Sequence, residues 1–314
     1  MKSLSLIWIK FILLIAFYAQ DIYAQGCSDA GFCSIDGIKN NNNEPADSIL
    51  NDSVNLVNII KTGISFGNTR YSVWILNPYI GYSRKINNHL SVSLKLDGQY
   101  RTSNLTQIFD FSDINLSISY KLPKSFGVIA GGKIPLSDGN RKYNGKSMPM
   151  AYQTSLGSLD AIAGVHYVYK NLFIVFGWQQ PLVQNSNTYM IGNFSEEELG
   201  ATYLETNNYK RAGDVLIRFS YSHKPKAGMK KMLFTYSLLP IYHLKNDEYI
   251  NVEGNIVEIK DSKGLTLNTN LFANYKINEK TAIELSTGIP LIARKVRPDG
   301  LSQFAVTIEL IQKF

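Results

Sequence analysis

From about residue 55 to the last residue, apolar and polar side chains alternate with a period of two. In "INLSISY", Ile114, Leu116, Ile118 and Tyr120 share one face, and Asn115, Ser117 and Ser119 the other. "LSVSLKLDGQYR" sets Leu90, Val92, Leu94 and Leu96 against Ser91, Ser93, Lys95, Asp97 and Gln99. "VLIRFSY" and "LTLNTNLFANY" repeat the pattern. Successive side chains of a strand point to opposite faces, so the pattern predicts strands; helical i, i+3, i+4 spacing is sustained nowhere after the N-terminus. About twelve segments are expected, near 56–68, 71–84, 90–102, 109–121, 125–136, 156–170, 171–183, 210–223, 228–244, 264–276, 280–291 and 300–314. Most run about 12–15 residues, against ~5–6 in soluble proteins. That length crosses a bilayer at a tilt, with a margin at each rim.

The connections alternate in length. "KINNH", "KLPKS", "YKNL", "HKPKAG" and "INEK" are short, and between them stand Ser137–Ser155, Gln184–Tyr209 and Lys245–Lys263. Brief turns at one end and longer loops at the other are the rhythm of an outer-membrane barrel. With both termini periplasmic, every short turn falls on the periplasmic side. Pro135, Pro181, Pro240 and Pro290 then lie toward the long-loop ends of strands five, seven, nine and eleven, where a residue without an N–H is tolerated. The last segment places Phe304, Val306, Ile308, Leu310 and Phe314 on one parity, as in a closing strand with a C-terminal aromatic insertion signal read by the barrel-insertion machinery.

The N-terminus reads as a cleaved signal peptide over 1–24: Lys2, an apolar run, then a cut before Gln25. Residues 25–55 are expected to form a cysteine-containing knob on a polar tether, and 56–314 the barrel. Export makes a Cys27–Cys33 disulfide permissible, and a lipid anchor on Cys27 is the alternative. No C-x-x-C motif is present, and two thiolates make a poor zinc site. Charged residues are 18% of the chain and the formal charge is +7, with the basic residues scattered rather than clustered, which argues against nucleic-acid binding.

In a membrane barrel the apolar parity faces lipid and the polar parity faces the lumen. Lumen-facing candidates are Lys95, Asp97, Gln99, Arg101, Lys133, His166, Gln179, Arg218, Glu284 and Glu309, with both signs available for ion pairs. At about twelve strands, a narrow polar pore and a blocked interior are both compatible with the chain. Enzyme chemistry finds little support. His89, His166, His223 and His243 form no metal-binding motif, and there is no G-x-S-x-G elbow. The acidic triplet Glu196–Glu198 reads as a solvated loop. No cofactor or metal is expected.

"GCSDAGFCSI" behind a signal cut, the G-x-x-x-P-L strand ends and the closing "RPDGLSQFAVTIELIQKF" resemble a group of outer-membrane β-barrel proteins from Bacteroidetes. More distantly, the chain is similar to the barrel family called meta-pathway phenol-degradation or outer-membrane transporter proteins. The resemblance implies an integral outer-membrane location, lipid as surroundings and a small-molecule solute as cargo. The reading is a transmembrane antiparallel β-barrel acting as a passive channel or transporter. A barrel anchoring a periplasmic or surface partner is the alternative, and a barrel-embedded lipid hydrolase a third.

Overall fold

The computed structural model describes residues 58–69, 73–225, 231–299 and 302–314. The signal peptide, Cys27, Cys33 and the tether lie outside the described residues. Twelve strands close into one antiparallel barrel. They are β1 (Asn58–Thr69), β2 (Trp74–Lys85), β3 (Leu90–Thr102), β4 (Gln107–Lys121), β5 (Phe126–Pro135) and β6 (Leu159–Tyr169). β7 (Leu172–Val183), β8 (Asp214–His223), β9 (Met232–His243), β10 (Gly264–Lys276), β11 (Thr281–Ile292) and β12 (Ser302–Lys313) complete the circuit. Each strand pairs with its sequence neighbours, and β1 closes on β12 from Ile59↔Lys313 to Thr69↔Ser302. Closure leaves no edge, so every ladder has a partner. The expected segments match these strands to within about four residues at either end.

The short turns have local causes. Asn87 Oδ1 accepts from the His89 and Leu90 amides, each at 2.8 Å, and Asn278 Oδ1 accepts from Lys280 and Thr281, each at 2.9 Å. Such side-chain bonds replace the backbone partners that a turn loses. Lys124 and Ser125 take left-handed φ values of 60° and 65°, the double left-handed turn that matches strand twist. All four prolines end or interrupt a pairing at the long-loop end. Pro135 ends β5, and Pro181 and Pro290 sit at register shifts opposite Asp160 and Asn268. Pro240 pairs with Leu267 on β10, while toward β8 the ladder skips from Leu216↔Ile241 to Phe219↔Leu238 around it.

Exposure alternates along the strands, and the exposed parity is layered. Aliphatic side chains such as Ile80, Leu94, Ile118 and Leu285 fill the middle. Phe66, Trp74, Phe109, Phe111, Trp178 and Tyr242 form an exposed aromatic belt toward the long-loop end, with Phe66 stacked on Trp74 at 5.4 Å. Tyr82, Tyr120, Phe126, Tyr169, Tyr221, Tyr275 and Phe314 form a second belt at the short-turn end. From Trp74 to Tyr82 the rise is ~3.4 Å per residue, and with a tilt of about 40° the belts stand roughly 20 Å apart. Two aromatic girdles around an aliphatic band are what a bilayer requires of a barrel exterior. Val306, Ile308, Leu310 and Phe314 are exposed within this surface, and Phe304 packs edge-on against Phe66 at 6.0 Å.

The inner face corrects one expectation. Polar residues line it on β1–β4 and β10–β12, but between β5 and β9 it carries an apolar cluster. Ile129, Ile162, Phe173, Val175, Leu216 and Leu239 are buried there, with Val168 and Ile241 against them. In "LFIVFGW" both parities are apolar, so a period of two cannot say which residues point inward.

Candidate channel lumen and the loops that close it

The polar wall is organised around Tyr79 on β2. Its hydroxyl donates to Glu309 Oε2 at 2.6 Å, crossing β1 to reach β12. Gly63, paired with both residues, makes this crossing feasible: a Cβ there would sit 2.5 Å from the Tyr79 ring. Lys95 Nζ lies 4.2 Å from the centre of the same ring and 2.6 Å from Asp97. Asn115 then donates to Asp97 at 2.8 Å. Lys95, Asp97 and Glu309 are thus brought into one network. Glu284 sits directly across the strand pair from Glu309, so two carboxylates share one inner position. Serine hydroxyls continue this wall toward the short-turn mouth, with Ser93 and Ser117 joined at 2.6 Å. Ser91, Ser93, Lys95 and Asp97 are all partly exposed, so this half of the lumen meets solvent.

The long-loop end is closed. Residues Ser147–Ser158 are buried without a break, which is unusual for a connection between strands. This segment contains a 3-10 turn at Met150–Tyr152 and dips into the barrel mouth. Arg101 anchors it from β3, donating from Nη1 to the Ala151 carbonyl at 2.5 Å while Nε donates to Gln99 at 2.5 Å. Ser155 adds a bond to Asp113 at 2.7 Å. Gln153 ties the segment to itself through the Met148 and Arg141 carbonyls. Loop 184–213 covers it: Tyr189, Phe194, Leu199 and Tyr203 pack on Met148, Ala151 and Tyr152. Tyr209 and Ile259 pack on Met150 and Leu156. The acidic triplet Glu196–Glu198 opens a one-turn helix, α1 (Glu196–Leu199), capped reciprocally by Ser195 and Glu198.

Beneath the loops runs a buried ionic chain. Lys133 Nζ and Arg211 Nη1 each stand 3.5 Å from Asp160 Oδ2, and Gln179 donates to the same oxygen. Arg211 also pairs with Asp214 at the start of β8. His243 contacts Asp214 through Nδ1 and Asp247 through Nε2, both at 2.7 Å. Two carboxylate acceptors require both ring nitrogens to donate, the arrangement of an imidazolium. Tyr209 donates to Asp247 at 2.9 Å, and Arg294 continues to Asp299 at 3.1 Å. Burial by itself opposes charge on Arg211, but Asp214, Asp160 and Asp299 outweigh it and raise the guanidinium above its ordinary value. Burial likewise pushes Asp299 up, yet Arg297, Arg294 and Arg211 hold it below the usual carboxylate range. Asp160, Asp214, Asp247 and Asp299, with the cations between them, tie loops 184–213, 244–263 and 293–299 to the barrel wall.

Of the remaining sequence candidates, Arg218 is buried on the inner parity between Leu216 and Ser220. His166 lies apart from both networks, its ring 5.5 Å from Phe173 and opposite Gly127. The hydrolase reading gains nothing from His243, since neither ring nitrogen is left to activate a serine. The sequence reading missed Tyr79, Asp160, Arg211, Asp214, Asp247, Arg294 and Asp299. The one available signal for Asp247, Arg294 and Asp299 was charge just outside a predicted strand end.

No protein-family model matches the chain, and no curated protein matches it. Solved structures do. An outer membrane channel from Pseudomonas putida F1 is similar at 12% identity and a TM-score of 0.57, covering 84% of this chain and 97% of that one. The likeness is one of fold. The NanC porin aligns over 83% of this chain and all of its own at 11% identity and a TM-score of 0.46. The KdgM porin aligns over 82% and 99% at 8% and 0.41. The closed barrel of this chain is thus the fold it shares with the Pseudomonas putida channel.

Proposed function

We propose that this protein is an outer-membrane channel for small solutes whose long-loop mouth is gated by the inserted segment Ser147–Ser158. One observation carries the reading. A hydroxyl- and charge-lined wall runs from the short-turn mouth toward the underside of that segment, where Arg101 of the wall holds the Ala151 carbonyl. Lys95, Asp97 and Glu309 line the path, and Arg101 stands at the gate. A polar path interrupted by a docked loop fits a gated conduit better than a permanent anchor. Phe173, Val175, Leu216 and Leu239 pack on one another and fill the interior on the β5–β9 side, which leaves the polar wall as the side that meets solvent.

Planar-bilayer recording tests it. The wild type is expected to show mostly closed traces with brief openings. Arg101→Ala releases the Ala151 carbonyl and is expected to lengthen the open intervals severalfold. Silence of both proteins in all salts would refute the channel and leave the partner-anchoring reading, to be pursued by crosslinking.

A further inference from the structure

The short-turn rim carries a charge pattern separate from the networks described above. Lys85, Lys124, Lys170, Lys224 and Lys280 place a cation at each of the five short turns, and Lys313 completes the circle on β12. Among the described residues of this rim, Glu279 is the one acidic side chain, and Lys276 holds it at 2.6 Å. The opposite end mixes both signs, with Glu196–Glu198, Glu253 and Glu258 on its loops beside Lys142 and Lys210.

A second observation fixes the depth of this ring. Tyr82, Tyr120, Tyr169, Tyr221 and Tyr275 are exposed and lie a few residues inside the cations on their own strands. Lys170 Nζ sits 5.3 Å from the centre of the Tyr169 ring. Aromatic girdles settle at head-group level, so cations just beyond them reach the phosphate layer. Arg84 is exposed on the outward parity of β2, two positions past Tyr82, where it faces lipid rather than the pore.

We infer that the short-turn rim is a binding ring for anionic phospholipid head groups, phosphatidylglycerol in type, which holds the barrel at a set depth in a phospholipid leaflet. Its ligand chemistry is the phosphodiester of a lipid whose head group adds no cation to cancel the charge.

Native mass spectrometry of the full-length protein in detergent, titrated with phosphatidylglycerol or phosphatidylcholine, tests this. A surface lysine contributes a factor of about five toward an anionic leaflet. The wild type is expected to retain phosphatidylglycerol at least about fivefold over phosphatidylcholine. The combined variant Lys124→Gln, Lys170→Gln, Lys224→Gln and Lys280→Gln is expected to lose most of that preference. The wild type in about 1 M salt, where the screening length is ~3 Å, is expected to lose it as well, without any substitution. Equal retention of both lipids by the wild type overturns the inference, as does a preference that survives both treatments. A variant with altered ion selectivity and an intact lipid preference also overturns it and assigns the ring to a permeating anion.

Discussion

Arg211→Met is the sharpest test of the ionic chain beneath the loops. The guanidinium is nearly inaccessible and serves two carboxylates that are equally buried, Asp160 at 3.5 Å and Asp214. Methionine keeps much of the volume and removes the charge. Asp160 would retain Lys133 at 3.5 Å, and Asp214 would retain His243 at 2.7 Å, so neither acid is stripped of all support. Breaking one side of a buried ion pair costs about 3–5 kcal/mol, and the remaining partners place this case near the lower figure. Urea unfolding of the protein in phosphatidylcholine vesicles reads the loss, and limited proteolysis of loop 184–213 reads where it occurs. In an Asp214→Asn background the same substitution is expected to cost about 1–3 kcal/mol less, because the charge it leaves behind has already gone. A loss under about 1 kcal/mol, or an equal loss in both backgrounds, would refute the claim that Arg211 fastens the loops by charge.

Two further outcomes follow from the same geometry. Gly63→Ala is expected to destabilise the barrel by about 1–3 kcal/mol by displacing the Tyr79 ring from Glu309. The cost should vanish in a Tyr79→Ala background, and unfolding of the single and double variants decides this. Asp299, held below its ordinary value by three arginines, contributes stability that is present above the unfolded-state value near ~3.9 and is lost as pH falls through its lower folded value. Acid exposure below about pH 4 should therefore loosen loop 293–299 in the wild type, measured by protease accessibility, and Asp299→Asn should flatten that pH dependence.

The barrel was readable along the chain because lipid imposes a local rule. Every second residue of a spanning strand must be apolar, and the strands must be long, so Ile114 to Tyr120 or Leu90 to Leu96 announce themselves without reference to anything distant. The turns are equally local: Asn87 and Asn278 close them with their own side chains. The same alternation sets Lys95, Asp97 and Arg101 on one face of β3 and Glu309 on one face of β12.

What the alternation could not carry was partnership. Tyr79 and Glu309 meet across 230 residues of chain because the barrel closes β1 between their strands, and a glycine at 63 is what lets them touch. Asp160, Arg211, Asp214, His243, Asp247, Arg294 and Asp299 come from six different strands and loops, share no period, and become one network only when the loops fold over the mouth. The burial of Ser147–Ser158 is of the same kind, since "SMPMAYQTSLGS" reads as an ordinary polar loop until Arg101 and loop 184–213 hold it inside. The inner wall of β5 to β9 was hidden for a different reason. Where both faces of a strand are apolar, pattern yields no direction, and only the packing of Ile129, Phe173, Val175 and Leu216 against one another shows which way they point. Alternation along one strand therefore determined that this chain is a barrel, whereas contacts between strands and loops far apart in the chain decided that its mouth is shut.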